Sequence, residues 1–127
     1  LLPQEITSTA VIEVAPFFDS VRRVALVTDK TVPLRLEFAN AQLSLEAGAG
    51  EDAQATEVLD ILLTGEPISI AFNPTYLADG LQAVGTPFVQ ISFTGSSKPA
   101  ILMGKAESNS AAIENYRYLL MPMRYAS

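Results

Sequence analysis

Apolar and polar residues alternate along most of this chain, which is the pattern expected of half-buried β-strands. Eight such stretches are rich in Val, Ile, Leu, Phe and Thr and are bounded by turn-forming residues. We predict strands at Thr9–Val14, Leu34–Ala39, Gln42–Ala47, Ala55–Leu63, Ile68–Phe72, Phe88–Thr94, Pro99–Met103 and Tyr116–Met123. Turn residues at Asn40-Ala41 and Gly95-Ser96-Ser97 predict hairpin connections, and Thr64-Gly65-Glu66-Pro67 predicts a turn between two halves of the chain.

Two further stretches have the apolar spacing of a helix, with residues at i, i+4 and i+7. The positions are Phe17, Val21 and Val24 in the first stretch and Leu77, Leu81 and Val84 in the second. Pro16 and Pro74 each lie just inside a predicted helix start, where the missing N–H costs nothing. Asn73 is placed as an N-cap and Gly85 as the residue that ends the second helix.

The predicted order is strand, helix and three strands, and this order then occurs a second time. Residues Val14–Phe18 superpose on Phe72–Tyr76 at the two strand-to-helix junctions, and Leu34–Phe38 superpose on Val89–Phe93 further along. We therefore predict an α+β fold made of an internally duplicated βαβββ unit. The two helices should lie on one face of two antiparallel sheets that share a core.

The composition favours a single domain that buries part of its surface against neighbours. The chain has 127 residues, the size of one domain, and 49% of them are hydrophobic. Only 17% are charged, whereas soluble domains usually carry about 25%. The longest apolar runs are far shorter than the about 20 residues of a membrane-spanning helix. The start at Leu1-Leu2-Pro3, without Met, also fits a piece of a longer protein.

The residues that most enzymes use are missing from this chain. There is no Cys, His or Trp, which excludes disulfides and thiolate metal sites and removes the commonest general base. An enzyme would have to rely on carboxylates such as Asp79 or Glu114, and these show no paired arrangement. We predict no catalytic residue, no metal and no cofactor. The net charge of −6 also argues against a free-standing nucleic-acid binder.

Three segments carry a resemblance to a known family. The tail Tyr118-Leu119-Leu120-Met121-Pro122-Met123-Arg124 resembles the C-terminal signature of bacterial DNA polymerase III β sliding clamps. Residues 71–77, Ala-Phe-Asn-Pro-Thr-Tyr-Leu, resemble the junction into the second helix of that family's last domain. Leu1-Leu2-Pro3 is similar to the end of the linker entering that domain. The resemblance implies a DNA clamp fold, with residues 1–127 forming the third domain of a clamp and 1–3 ending the interdomain linker.

The resemblance also implies a function. Two crescents of three such domains would form a ring that encircles duplex DNA and acts as a processivity factor in bacterial cytoplasm, at the replication fork. DNA polymerase, clamp loader and repair proteins would dock through short linear peptides. The full-length protein would be a homodimer, and we expect this fragment alone to be monomeric because it lacks the complementary joint surface.

The resemblance places part of a peptide-binding cleft on this chain. The implied residues are Asn73, Tyr76, Ser97, Pro99, Leu119, Leu120, Met121, Pro122, Met123 and Arg124. Flexible methionines suit a surface that binds several partners. The alternative is that Leu119–Met123 are ordinary core residues near a strand end. Because side chains alternate along a strand, only Leu119 and Met121, or else Leu120 and Pro122, can point outward.

Charged residues suggest two further surfaces. Arg22 and Arg23 lie beside the apolar stripe of the first helix and would face DNA on the inner wall of a ring, unless they are solvated charges without a partner. The resemblance places a joint with the next protomer at Leu26, with Ala25 or Val27 beside it, rimmed by Glu51 and Glu57. The simpler interpretation of the acidic stretch that contains Glu51 and Glu57 is that these are solvated hairpin charges, and metal binding is a weaker interpretation.

One rival function shares the cleft but has no DNA role. A free-standing peptide-binding or protein-interaction module could contain the same βαβββ repeat. Such a module would need no partner domains, so the two hypotheses differ in whether further domains of this size accompany the chain.

Overall fold

In the computed structural model, the described part of the chain comprises residues 6–26, 33–47, 55–95, 98–107 and 113–122. The first half contains β1 (Ser8–Glu13), α1 (Val14–Leu26), β2 (Leu34–Ala39), β3 (Gln42–Ala47) and β4 (Ala55–Asp60). A short strand, β5 (Leu62–Gly65), follows. The second half contains β6 (Ile68–Phe72), α2 (Pro74–Val84), β7 (Phe88–Phe93), β8 (Ala100–Lys105) and β9 (Ile113–Leu120). The predicted α+β class and the duplicated βαβββ order are confirmed.

The described strands form two antiparallel sheets, in the orders β5-β1-β7-β8-β9 and β4-β3-β2-β6. The first strand of each half lies in the sheet of the other half. Ile12 of β1 pairs with Val89 of β7, and Phe72 of β6 pairs with Leu34 of β2. Each sheet is therefore completed by a strand from the other half, so the two halves form one folding unit.

Both sheets bury their inner faces in one core. Phe38 of β2 and Phe93 of β7, which occupy equivalent places in the two halves, are fully buried. Their ring centroids lie 4.8 Å apart with the planes tilted by 55°, a favourable aromatic geometry. Helix α1 packs on β3 and β4, α2 packs on β8 and β9, and the two helices contact each other. The predicted shared core is confirmed.

The predicted single strand Ala55–Leu63 is wrong, because the chain changes sheets at Ile61. Ile61 is buried, and its N–H donates to the Ala41 carbonyl at 3.0 Å. The residues before it pair with β3 and those after it pair with β1. Ile61 is apolar and continues the apolar pattern of the predicted strand, although its side chain turns into the core. Periodicity alone could therefore not reveal the break. The other strand ends differ from prediction by at most three residues.

The predicted superposition of the two helix starts is wrong by two residues. Helix α1 begins at Val14, so Pro16 is its third residue, whereas Pro74 is the first residue of α2. Proline is tolerated at the third position because the first four N–H groups of a helix have no intrahelical partner. Val14 therefore corresponds to Pro74, and the buried Phe17 corresponds to the buried Leu77.

The ends of α2 agree with the predicted caps. The side-chain oxygen of Asn73 accepts hydrogen bonds from the N–H groups of Thr75 at 2.9 Å and Tyr76 at 3.2 Å. Gly85 follows the helix with φ of 62°, the left-handed conformation that glycine adopts without strain. The Asn73 cap fixes the first turn of α2, which carries the predicted site residue Tyr76, and Asn73 is itself a predicted site residue.

The predicted hairpin at Asn40-Ala41 joins β2 to β3 and uses left-handed backbone at both residues. The φ angles are 55° for Asn40 and 60° for Ala41. Asparagine tolerates this region, but alanine pays a steric cost of about 1–2 kcal/mol there. The turn therefore holds strain at Ala41.

We expect Ala41→Gly to stabilise the chain by about 0.5–1 kcal/mol, since glycine relieves the left-handed strain and loses part of that gain to entropy. Thermal unfolding followed by circular dichroism would measure the rise in Tm. Ala39→Gly is the matched control, because Ala39 ends β2 in the same hairpin and should lower Tm instead. Equal losses in both variants would contradict strain at Ala41.

Candidate functional site

The end of β9 exposes an alternate set of apolar side chains. Leu119 and Met121 are 60% and 61% exposed, whereas Leu120 between them is 2% exposed. Pro122, half-buried, follows the strand. The predicted alternation is therefore present, with Leu119 and Met121 outward. The inclusion of Leu120 among peptide contacts is corrected, because its side chain lies in the core below them.

The first turn of α2 supplies a second exposed apolar group. Tyr76 is 60% exposed, and the half-buried Asn73 precedes it. The oxygen of Asn73 is occupied by the helix N-terminus, so the amide NH₂ group is what Asn73 has to offer a ligand.

Helix α2 and strand β9 meet at Gly80 and Tyr118. A Cβ atom at Gly80 would lie 2.9 Å from Cδ1 of Tyr118, so the helix backbone lies directly against the ring. Tyr76 lies one turn before Gly80 on the same helix face, and Leu119 follows Tyr118. This contact joins the helix that carries Tyr76 to the strand that carries Leu119.

The start of β8 reaches the same region. Ala100 pairs with Leu120, so the half-buried Pro99 lies beside Met121 at the sheet edge. We call Tyr76, Leu119 and Met121, with Asn73, Pro99 and Pro122 beside them, the tail surface. It holds three of the six large apolar side chains that the described residues leave exposed. The predicted Ser97, Met123 and Arg124 lie outside the described residues.

Arg23 and Glu57, predicted for two different surfaces, bind each other. The Arg23 guanidinium donates to both carboxylate oxygens of Glu57, at 2.8 Å from Nε and 2.7 Å from a terminal nitrogen. The buried Ser20 hydroxyl donates to the same carboxylate at 2.8 Å. Glu57 is thus held against α1 at a partly exposed position, so it is a charge with bound partners at the protein surface.

This pairing changes the titration of both groups. The hydrogen bond from Arg23 lowers the pKa of Glu57, against the opposing effect of burial, and the Ser20 hydrogen bond adds to the lowering. The same hydrogen bond raises the pKa of Arg23.

The remaining helix charges are few. Arg22 is exposed, with its guanidinium carbon 5.7 Å from the Phe18 ring centroid, a weak cation–π contact. It lines a groove between the two helices in which Asp79 carries the opposite charge. The structure describes only the backbone of Leu26, and Val27 and Glu51 lie outside the described residues.

Membrane-spanning helices and clusters of metal ligands are both absent from the described residues. No described helix has the length and apolar character needed to cross a membrane. No three or more described acidic residues come close enough to form a metal site.

Comparison with known proteins identifies the family. The model of the DNA polymerase III beta subunit, C-terminal domain, matches residues 1–124. The chain belongs to this family. The beta sliding clamp of Streptomyces coelicolor is 53% identical over 124 residues, which are 98% of this chain and 33% of that protein. The beta sliding clamp homolog GriR of Streptomyces muensis is 39% identical over 98% of this chain and 34% of its own length.

Solved structures agree with this assignment. A Pseudomonas aeruginosa sliding clamp bound to griselimycin superposes with a TM-score of 0.84 at 25% identity, covering 98% of this chain and 32% of that one. The Thermotoga maritima beta subunit matches in fold, with a TM-score of 0.83 at 21% identity, over 98% of this chain and 33% of that one. The chain spans about one third of the length of its curated clamp relatives.

Two contacts of this clamp domain were missed by sequence reasoning. Arg23 and Glu57 are 34 residues apart, and no local spacing links them. The contact of Gly80 with Tyr118 left one signal, a glycine in the middle of an amphipathic helix, where it lowers helix propensity unless close packing requires it.

The Arg23–Glu57 pair predicts a defined pH dependence. Because the pKa of Glu57 is lowered in the folded state, its contribution to stability is present above the ordinary value of about 4.5 and is lost as pH falls through the lower folded value. A carboxyl-detected NMR titration should place the Glu57 midpoint below 4.5, and Arg23→Ala should move it upward.

Arg22→Ala is the matched control for this titration, because the neighbouring Arg22 stacks on Phe18 and has no contact with Glu57 in the described structure. A Glu57 midpoint that is the same in wild type and Arg23→Ala would show that the ion pair does not form in solution.

Proposed function

We propose that this chain is the third domain of a ring-shaped processivity clamp and that its tail surface forms one wall of a cleft for short peptides of replication proteins. The observation that carries the peptide site is that Tyr76, Leu119 and Met121, each about 60% exposed, lie on α2 and at the end of β9, two elements in direct contact. Exposed apolar side chains grouped on adjoining elements mark an interaction site more often than scattered ones do.

The chemistry of the tail surface suits an extended apolar peptide. Leu119 and Met121 supply a hydrophobic contact, and methionine adapts to partner side chains of different shape. The Tyr76 ring adds apolar area with a polar tip, and the NH₂ group of Asn73 can donate to a peptide carbonyl or to a glutamine side chain. The related P. aeruginosa clamp is bound to griselimycin, which supports a ligand-binding site on a clamp of this fold.

The ring role rests on the family and on two of the four edge strands of the sheets. Strands β4 and β9 are edge strands, so each has backbone groups open to a neighbouring strand. Two thirds of the length of the curated relatives lies outside the matched region, which is where further domains would come from. This favours the clamp over a free-standing peptide-binding module. The β4 edge and the end of α1, with Leu26, are then the joint to the next protomer in a homodimer.

In this proposal the DNA contact of the domain is weak and independent of sequence. Helix α1 presents Arg22 toward the ring interior, whereas the charge of Arg23 is largely neutralised by Glu57. One loose phosphate contact fits a protein that must slide, because each phosphate neutralised adds affinity and salt dependence. The domain itself acts as a scaffold without catalysis or a cofactor, in the bacterial cytoplasm at the replication fork.

The peptide site is tested by an NMR titration with a short peptide that contains glutamine followed by leucine and phenylalanine. We expect amide shifts at Asn73, Tyr76, Leu119 and Met121, because these residues belong to the tail surface, and at Met123 and Arg124, which the family resemblance adds to the cleft. Leu119→Asp should remove the shifts by placing a charge on the apolar surface.

Leu62→Asp is the matched control, since Leu62 is 55% exposed on β5, at the far edge of the same sheet. Equal loss of binding in both variants would contradict a specific tail surface. Absence of shifts up to millimolar peptide, both in this chain and in the longer protein that contains it, would overturn the proposal.

The joint proposal predicts that the isolated chain is monomeric. A head-to-tail interface needs two different complementary surfaces, and this chain carries one of them. Light scattering at micromolar concentration should give the monomer mass of 13.6 kDa. A stable dimer at that concentration would contradict the proposed joint.

A further inference from the structure

The two halves of the domain place equivalent residues at equivalent helix-to-edge contacts. Leu45 of β3 pairs with Glu57 of β4, and Leu102 of β8 pairs with Tyr118 of β9. Leu45 and Leu102 are equivalent because their partners, Leu36 and Ile91, lie at matching places in β2 and β7. Glu57 therefore corresponds to Tyr118.

The helix residues that face these two positions also correspond. Ser20 is the seventh residue of α1, and Gly80 is the seventh residue of α2. Ser20 touches Glu57, and Gly80 touches Tyr118. The same helix position thus contacts the same edge-strand position in both halves, and the chemistry of the contact is what differs.

In the first half the contact is polar and charged. Ser20 and Arg23 hold the Glu57 carboxylate by hydrogen bonds. In the second half the position equivalent to Arg23 is the exposed Ala83, and the contact is steric. The Tyr118 ring fills the space that a side chain at position 80 would need. Leu102 bounds the same space, because its Cδ2 atom would lie 3.3 Å from a Cβ placed at position 80.

This steric contact bears directly on the tail surface. Tyr76 precedes Gly80 by one helical turn, and Leu119 and Met121 follow Tyr118 along the chain end. Because Tyr76 is carried by α2 whereas Leu119 and Met121 lie at the end of β9, a change in the spacing of α2 and β9 at Gly80 moves these two parts of the tail surface relative to each other. A Cβ at 2.9 Å from the ring is closer than real Cβ contacts, so any larger residue must move either the helix or the ring.

We propose that Gly80 and Tyr118 are positioning residues of the peptide site, which set the width of the tail surface without touching the peptide. This inference rests on the peptide-docking function proposed above. A small displacement of α2 would separate the two apolar parts of the wall, and binding depends on both parts meeting the ligand together.

The test compares peptide affinity in Gly80→Ala, Tyr118→Leu and the double variant, using the glutamine-leucine-phenylalanine peptide and, in parallel, the thermal stability of each variant. Gly80→Ala should weaken peptide binding by about tenfold, within the range seen for coupled neighbours. The Tm of Gly80→Ala should fall only slightly, because the higher helix propensity of alanine offsets part of the steric cost of the new Cβ. The cost of Gly80→Ala should shrink to about twofold or less when Tyr118→Leu makes room for the new Cβ.

Ala83→Gly is the matched control, because it changes helix propensity on the exposed side of α2 and leaves the contact with β9 intact. It should lower Tm while the peptide affinity stays at the wild-type value. Loss of affinity in Ala83→Gly equal to that in Gly80→Ala would show that helix stability, and not positioning, controls binding.

Two results separate the failure of this inference from failure of the function beneath it. Wild-type affinity in Gly80→Ala, or an equal loss with and without Tyr118→Leu, would overturn the positioning role while leaving the peptide site in place. The proposed function itself would be overturned if the wild-type longer chain that contains this domain bound no peptide.

Discussion

The exchange of first strands between the two halves is the constraint on which the rest of this domain depends. β1 completes the sheet of the second half and β6 completes the sheet of the first, so neither half can satisfy its own backbone hydrogen bonds. The exchange brings Phe38 and Phe93 into contact at the centre. It also directs both helices to one face and leaves β4 and β9, together with β5 and β6, as the edge strands of the two sheets. Every surface that we connect with function lies on one of those edges or on the helix face.

An open strand edge is a liability unless something holds it in place. Here β4 and β9 are each held by the helix of their own half, and the two contacts differ in chemistry. Besides its ladder with β3, the β4 edge is linked to α1 by the partly exposed Arg23–Glu57 ion pair, which weakens with salt and acid. The β9 edge depends on close packing of Tyr118 on Gly80, which salt does not screen. The internal repeat therefore contains two kinds of helix-to-strand contact in one architecture. The ion pair is sensitive to solution conditions, whereas the packing of Tyr118 on Gly80 is determined by shape.

Local signals in the sequence were sufficient to predict the helices and strands, but they did not show which strands pair with one another. Asn73, Pro74 and Gly85 placed both ends of α2 correctly, because caps act within a few residues. Helix α1 has no such cap signal before Pro16, and its start was placed too late. The break at Ile61 and the strand exchange depend on which sheet a strand joins, and periodicity does not carry that information. Alternation showed that Leu119 and Leu120 must face opposite ways, but only the packing of α2 and β8 decides that Leu120 is the buried one.

A strand end and the first turn of a helix are the parts of a fold that fray most easily, and the tail surface is built from both. The structure offsets this tendency at each point. Asn73 and Pro74 fix the helix start, Leu120 anchors the strand in the core, and Gly80 allows α2 to lie directly on Tyr118. These contacts restrain the backbone of the tail surface, while Met121, 61% exposed, is an unbranched side chain that can adapt to different partners. A fixed frame lowers the entropy cost of binding, and a flexible side chain on that frame allows different peptides to bind the same wall.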